Sequence, residues 1–396
     1  AVLKIKKNYQ PALRDIGTNH LQLANYKIAE KILSESLKLN PVDYINLNSL
    51  GLAKMYLDKH EEAKKIFKKS ININKEYYIS YNNLGLYFER VGNIDQAYKC
   101  YKKCLKINPD YPNALNNIGM LYFSFEENKK AFSCFEKALK INPKMVDLYF
   151  NLGLSYFHMR KFKEAEKYFK KGFSIDPNNY NGHYNYSFML LALQDYQNGW
   201  KEFDYRLKKS ARLNENSLFN EIKNKLWNQH DLNNKNVLVI REQGAGDEIL
   251  YGSMYNDIIN LNNNVKIEVD NRLLKLFKRS FGSKNNFVSE NKLSQNKKSL
   301  KKIDRLIFAG SLGRIFRNQK NDFPKNNQYL FPDKQIVKTI KSRLNTINKK
   351  PKIGISWISK NKKFGKGKSM DLISLLPILN KKKASFVNLQ YGDTSE

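Results

Sequence analysis

The chain has 396 residues, more than one ordinary core encloses, so two or three domains are expected. A hydrophobic share of 41% with 13% aromatic residues excludes wholesale disorder, and no run approaches eighteen uninterrupted apolar residues, which excludes a helical membrane span. The formal charge of +33 would suit nucleic acid or an acidic surface, but the lysines are spread over nearly every segment beside abundant Asn and Ile, as an AT-rich coding sequence places them.

The chain opens at Ala1 with no apolar stretch behind its basic start, so no secretory signal is read; the absent initiator Met points to a fragment or a processed start. A period of 34 then sets the architecture. Gly17, Gly51, Gly85, Gly119 and Gly153 keep that spacing, and Ser187 takes the sixth place. Twelve residues after each comes a small residue: Ala29, Ala63, Ala97, Ala131, Ala165, then Gly199. Four further on a large apolar side chain recurs, as Leu33, Phe67, Tyr101, Phe135, Phe169 and Phe203. Small residues let two antiparallel helices approach, large ones fill the gap one turn later, and Pro41, Pro109, Pro143 and Pro177 end the units. No hairpin of this kind buries its apolar face alone, so the units are stable only as a stack. These residues match the tetratricopeptide repeat pattern, which implies an α-solenoid of six hairpins over residues 1–208 and a protein or peptide as partner.

Asn83, Asn117, Asn151 and Asn185 also stand 34 apart, two residues before the glycine or its replacement. Stacked repeats would align them into a row of carboxamides, each a donor and an acceptor. Such a row can grip a peptide backbone in a groove, or it can satisfy neighbouring groups within the stack. A similar ladder lines the O-linked N-acetylglucosamine transferases. Cys100, Cys104 and Cys134 all fall inside the repeats and read as buried, reduced thiols of a cytoplasmic protein; no metal site is expected.

After residue 208 the period changes. Residues 209–235 are expected to be a linker, and strands and helices alternate beyond it. Val237–Ile240, Val265–Val269 and Leu306–Phe308 read as strands of a parallel sheet, with helices over 248–261 and 272–279 and a Ser/Asn/Lys-rich loop over 280–301. A helix over 333–347, a strand over 352–357, a helix over 371–379 and a strand over 386–389 follow. The loop after the first strand, Glu242-Gln243-Gly244-Ala245-Gly246-Asp247, offers a tight turn and a helix start, without the third glycine of a dinucleotide site. Asp247 can cap that helix.

The Gly-Trp-Lys-Glu-Phe-Asp-Tyr-Arg run at 199–206, the Arg-Glu-Gln-Gly-Ala-Gly-Asp-Glu run at 241–248 and the Lys-Ile-Gly-Ile-Ser-Trp run at 352–357 occur in this order. Together they resemble bacterial proteins in which tetratricopeptide repeats precede a glycosyltransferase-like domain of the heptosyltransferase and O-linked N-acetylglucosamine transferase type. The resemblance implies a GT-B enzyme of two Rossmann-like lobes, here 236–333 and the start of a second over 334–396. It further implies sugar transfer from a nucleotide-sugar to an acceptor recruited by the repeats, with no further cofactor. Asp247 would be the catalytic base, with Glu242 behind it; Gly244 and Gly246 would sit with it at the edge of the ligand cleft, and Lys368 and Ser369 would hold the donor diphosphate. The family's second lobe extends beyond what Glu396 permits, so a truncated enzyme or a non-catalytic interaction scaffold is the alternative. Nucleic-acid binding finds no interleaved aromatic and basic motif to support it.

Overall fold

The computed structural model describes residues 9–210, 213, 218–228, 231–242, 244–262, 264–282, 286–295, 300–325, 328–356, 370–380 and 383–389. Contacts divide the chain into two compact units: residues 1–168 together with 354–381 and 386–396, and residues 169–353 together with 382–385.

The main part of the first unit, residues 9–168, is a run of helical hairpins. Helices α1 (Gln10–Gln22), α3 (Tyr44–Tyr56), α5 (Tyr78–Arg90), α7 (Pro112–Ser124) and α9 (Val146–His158) alternate with α2 (Tyr26–Leu39), α4 (His60–Ile73), α6 (Ile94–Ile107) and α8 (Asn128–Ile141); α10 (Phe162–Ile175) carries the break. Each equivalent helix begins 34 residues after the last, so the period read from the sequence is the period of the fold. Ala29, Ala63, Ala97 and Ala131 are fully buried, as are Leu33, Phe67, Tyr101 and Phe135. The large side chain lies directly over the glycine. A Cβ on Gly51 would come within 2.6 Å of the Phe67 ring, and one on Gly85 within 2.5 Å of the Tyr101 ring.

The turn inside each hairpin holds one residue in the left-handed region: Ala24, Asp58, Gly92, Glu126, Arg160 and Gln194, again 34 apart. Only one of the six is glycine, which is why the turn leaves no glycine signature in the sequence. An L side chain costs about 1–2 kcal/mol there, against roughly 0.4–1 kcal/mol of extra chain entropy that a glycine loses. Ala24→Gly should therefore raise stability by about 0.5–1 kcal/mol and Gly92→Ala should lower it by a similar amount, read as opposite shifts of the denaturant midpoint at unchanged slope.

The second unit begins with a last hairpin, α11 (Tyr180–Ala192) and α12 (Tyr196–Phe203). Its second helix stops after eight residues and tightens into a 3-10 turn, Asp204–Lys209. The sheet follows: β1 (Val237–Ile240), β2 (Val265–Val269), β3 (Phe287–Ser289) and β4 (Arg305–Phe308), all parallel, in the order β3-β2-β1-β4. β1 is central and buried on both faces, so it reads as the uninterrupted run Val-Leu-Val-Ile. Val237 and Val239 face a core with Tyr251, Tyr255, Ile258 and Phe277; Leu238 and Ile240 face one with Phe219, Ile222, Leu306 and Phe308.

Several local expectations change. The helix expected over 248–261 is two, α13 (Ala245–Gly252) and α14 (Tyr255–Leu261). The helix expected over 272–279 is α15 (Asn271–Phe281). The stretch expected as loop contains β3 and α16 (Glu290–Gln295), because Phe287 is apolar enough to enter the core from polar surroundings. Within the expected linker, Phe219, Ile222 and Leu232 are buried, and Trp227 N–H donates to Leu306 O at 2.8 Å. Beyond β4 lie the helix α17 (Leu312–Phe316), then α18 (Lys334–Ile347), β5 (Lys352–Ile355), α19 (Leu376–Leu379) and β6 (Ser385–Asn388). β5 and β6 pair with each other and not with the four-stranded sheet. Among the described residues the strands form one parallel sheet and one strand pair, and these do not establish the two-lobed arrangement that the resemblance implies.

Candidate functional site

Two places answer to the residues singled out in the sequence, one in each unit. In the repeats, the asparagines form two columns rather than one. Asn83 Nδ2 donates to Asn48 Oδ1 at 3.0 Å, Asn117 Nδ2 to Asn82 Oδ1 at 3.0 Å, and Asn151 Nδ2 to Asn116 Oδ1 at 2.8 Å. Each bond joins one repeat to the one before it, 35 residues back. Asn83 is buried and its Oδ1 also accepts from Asn82 Nδ2, so its amide is largely used inside the stack. Asn117 and Asn151 are half-buried and keep a second N–H for a further partner. Asn185 stands on α11; the place that would supply its acceptor is taken by Phe150.

In the second unit, the glycine loop leaves the end of β1 and enters α13. Asp247 caps that helix: its Oδ2 accepts from Gly244 N at 3.1 Å, and the residue is half-buried. Neither glycine is required by packing. A Cβ on Gly246 would meet nothing within 4 Å, and one on Gly244 only Asp247 Oδ2 at 3.7 Å.

Glu242 is differently placed. Arg206 Nε donates to its Oε2 at 2.8 Å and Arg206 Nη2 to its Oε1 at 2.6 Å, while Gly310 N donates to Oε1 at 2.6 Å. The two side chains are 8% and 9% exposed. Arg206 also donates to Phe203 O and Asp204 Oδ1, and Asp204 accepts from Ser311 Oγ and Arg314 Nη1. The pair sits where β1 and β4 end side by side, the point at which the strand order reverses and where open α/β sheets usually admit a ligand. Here the crevice is filled by a side chain from the turn after the last hairpin. Gly310 is bare because a Cβ there would lie 2.6 Å from Glu242 Oε1 and 2.7 Å from Arg206 Nη2.

The flanking charges brace the same edge. Arg241 donates to Glu248 Oε1 at 2.7 Å and to Asp270 Oδ2 at 3.2 Å; its backbone N–H donates to Glu268 Oε2, and Asp270 N to Glu248 Oε2. Burial pushes the Glu248 carboxyl up, which Arg241 and Asp270 N–H only partly offset. Arg272 holds the Asp270 carboxyl well below the usual carboxylate range. Trp200 fastens the hairpin on the other side: its Nε1–H donates to Arg317 O at 2.8 Å, and its ring lies on Gly313. The residues that sequence reasoning missed are therefore Arg206, Asp204 and Ser311. The signal was present, since Arg206 closes the motif that starts at Gly199.

Lys368 and Ser369 lie outside the described residues. Cys100 and Cys104 are buried free thiols, pushed up to about 11 and about 12 by burial. Among the described residues no group of three or more His, Cys, Asp or Glu side chains is placed to hold a metal. No helix among them is long and apolar enough to cross a membrane.

Models of the tetratricopeptide repeat match residues 46–77, 76–144 and 146–179. The chain carries tetratricopeptide repeats. Protein FlbA of Caulobacter vibrioides is 29% identical over 220 residues, 52% of this chain, and the chain spans only 36% of that relative's length. Two solved structures are similar to parts of the chain. One comes from the APC/C hetero-tetramer Cut9-Hcn1, with 17% identity, TM-score 0.48, and 52% of this chain against 41% of that one. The other is a thermophilic tetratricopeptide protein of Thermus thermophilus, with 22% identity, TM-score 0.42, and 46% of this chain against 99% of that one.

Removing Glu242 leaves a buried guanidinium short of its main partner, a loss of about 3–5 kcal/mol for such pairs. Glu242→Gln should therefore cost about 3 kcal/mol in urea unfolding. Asp247→Asn, which keeps the cap, should cost well under about 1 kcal/mol.

Proposed function

We propose that this protein is a scaffold whose repeats bind an extended segment of a partner protein along the asparagine columns. The observation that carries the reading is the bonding between repeats. Each cross-repeat amide bond fixes the spacing of the next carboxamide, so Asn117 and Asn151 present their remaining N–H groups at the pitch of the repeat. A backbone with its own periodic C=O groups can meet such a row without a particular sequence. The test is a double substitution, Asn117→Ala with Asn151→Ala, compared with wild type in quantitative affinity capture and in thermal melting. Each lost bond should cost about 1 kcal/mol of stability. Loss of specific partners at a temperature where the variant is still folded supports the reading; full retention of partners would leave the columns as internal fastening alone.

A second reading, sugar transfer by the α/β unit, is favoured by the loop after β1. Gly244 and Gly246 are bare without any packing need, and that bareness suits close approach of a ligand to the start of α13. Asp247 keeps its Oδ1 for an acceptor hydroxyl, whereas both oxygens of Glu242 are held in the buried pair with Arg206. Under this reading the donor is a nucleotide-sugar, and the partner held by the repeats is the acceptor. The full chain, given UDP-, GDP- and ADP-sugars, should release nucleotide in the presence of acceptor. Asp247→Asn should slow this by about a hundredfold or more without moving the melting temperature. No binding of any of these donors would remove sugar transfer and leave the scaffold.

A further inference from the structure

An opening of about 590 Å³ lies within the repeats, where the first helices of three successive hairpins, α5, α7 and α9, all reach its wall. Its place follows from the period. Glu89 stands seven residues after Asn82, Phe123 after Asn116, Ser124 after Asn117 and His158 after Asn151. Seven residues are nearly two helical turns, so the opening shares the face of the asparagine columns and lies roughly 10 Å further along the helices.

Two chemistries meet in its wall. Ile94, Met120, Leu121 and Phe123 are apolar, and Glu89 and Glu126 bring two carboxylates. Glu89 is half-buried, and its Oε2 accepts from the hydroxyl of the fully buried Tyr101 at 3.1 Å, which draws this carboxylate inward. Glu126 is exposed, on the left-handed turn residue between α7 and α8. No Lys or Arg lines the opening. Lys129 and Lys130 follow closely and Arg160 takes the place of Glu126 in the next hairpin, yet neither Glu89 nor Glu126 forms an ion pair among the described residues; Lys130 is paired with Glu127, and Arg90 with Asp58. Ser124 spends its hydroxyl on Leu121 O at 2.8 Å. Partial burial pushes the His158 imidazole down, which Glu126 only partly offsets, so this ring adds no cation at neutral pH.

These features select an occupant. An acidic side chain would face two like charges. A purely apolar one would cover the Glu89 carboxylate and leave it desolvated without a counter-charge. A lysine or arginine answers both parts of the wall, with an apolar stem below a cationic tip. We infer that this opening receives one basic side chain of the partner segment, its stem on Met120, Leu121 and Phe123 and its cation between Glu89 and Glu126. The inference rests on the reading that the repeats hold an extended segment, and it adds a residue type that the asparagine columns do not select. The formal charge of +33 opposes a polybasic segment, so a lone basic residue in a neutral stretch fits best. Charges more than about 8 Å from it are largely screened at physiological salt, whereas the two carboxylates of the opening are not.

The full chain is titrated at about 0.15 M salt with a capped Gly/Ser peptide carrying one central arginine, and with the same peptide carrying lysine, glutamine or glutamate there. Binding is followed by NMR on the ring C–H signals of His158, assigned by their loss in His158→Gln. The arginine and lysine peptides should bind about tenfold or more tighter than the glutamine peptide, and the glutamate peptide weakest. Glu126→Gln should reduce that preference by about threefold or more at an unchanged melting temperature, since Gln194 already occupies the same turn position. Glu89→Gln should do likewise while keeping an acceptor for Tyr101. The Asn117→Ala, Asn151→Ala pair should weaken all the peptides alike and keep the preference. No saturable response to the arginine or lysine peptide up to about 10 mM, binding of the glutamine peptide equal to theirs, or a preference untouched by both glutamate variants would each overturn the basic pocket. A preference that falls with Glu89→Gln, in binding indifferent to the asparagine pair, would uphold the pocket and overturn the columns instead.

Discussion

One packing device recurs through both units: a large side chain laid on the bare backbone of a glycine in the facing helix. Leu33 on Gly17, Phe67 on Gly51, Tyr101 on Gly85 and Phe135 on Gly119 do this in the repeats, and Trp200 does it on Gly313 in the α/β unit. In every case a Cβ would fall within 2.5–2.6 Å of the ring or chain. The constraint is mutual. The glycine sets how near the helices come, and the ring fills the space that nearness leaves, so neither can change alone without a void or a clash. That is why the period of 34 stands out at these positions of the sequence. It is also why the last hairpin can be rigidly tied to the sheet through a short helix: Trp200 repeats the device and adds an N–H bond to Arg317 O.

The buried ion pair at the end of β1 acts on a different principle. Arg206 and Glu242 each lose most of their water, and what offsets that cost is geometry: two parallel N–H bonds, a third from Gly310 N, and the remaining guanidinium protons on Phe203 O, Asp204 and Ser311 Oγ. Such a pair contributes less to net stability than to specificity, because almost any other arrangement of the same chain leaves one charge uncompensated. In this protein it fixes where the turn after α12 meets the strand ends, and it closes the crevice in which a doubly wound sheet ordinarily takes its ligand. The glycine loop beside it stays open. Fold-level analogy would have placed both acids of the loop in one role, and the packing separates them.

How much could be read in advance follows from how local each signal is. The hairpins were legible because every unit restates the same spacing. Asn117 and Asn151 were legible as a row, but their acceptors Asn82 and Asn116 were not, although they keep the same period one residue earlier. The left-handed turn residues escaped because only Gly92 among them is glycine. The arginine partner of Glu242 escaped for a different reason. A carboxylate after a first strand looks alike whether it meets solvent or an arginine, and Arg206 lies 36 residues away in sequence. β3 was hidden because three residues set among Ser, Asn and Lys give no alternation to detect: Phe287 enters one core while its neighbour Val288 packs on the other.

The charge of +33 also changes meaning once the partners are known. The cations paired with carboxylates at the edge of the sheet are arginines: Arg206 on Glu242, Arg241 on Glu248 and Asp270, Arg314 on Asp204, Arg317 on Asp257. A planar fork can satisfy a carboxylate and still reach a carbonyl, which a lysine ammonium does less well in a confined site. Lysines meanwhile dominate the count and remain largely at the surface; Lys54, held between Glu30 and Glu62, is an exception. The excess is therefore carried mostly by solvated side chains that define no surface.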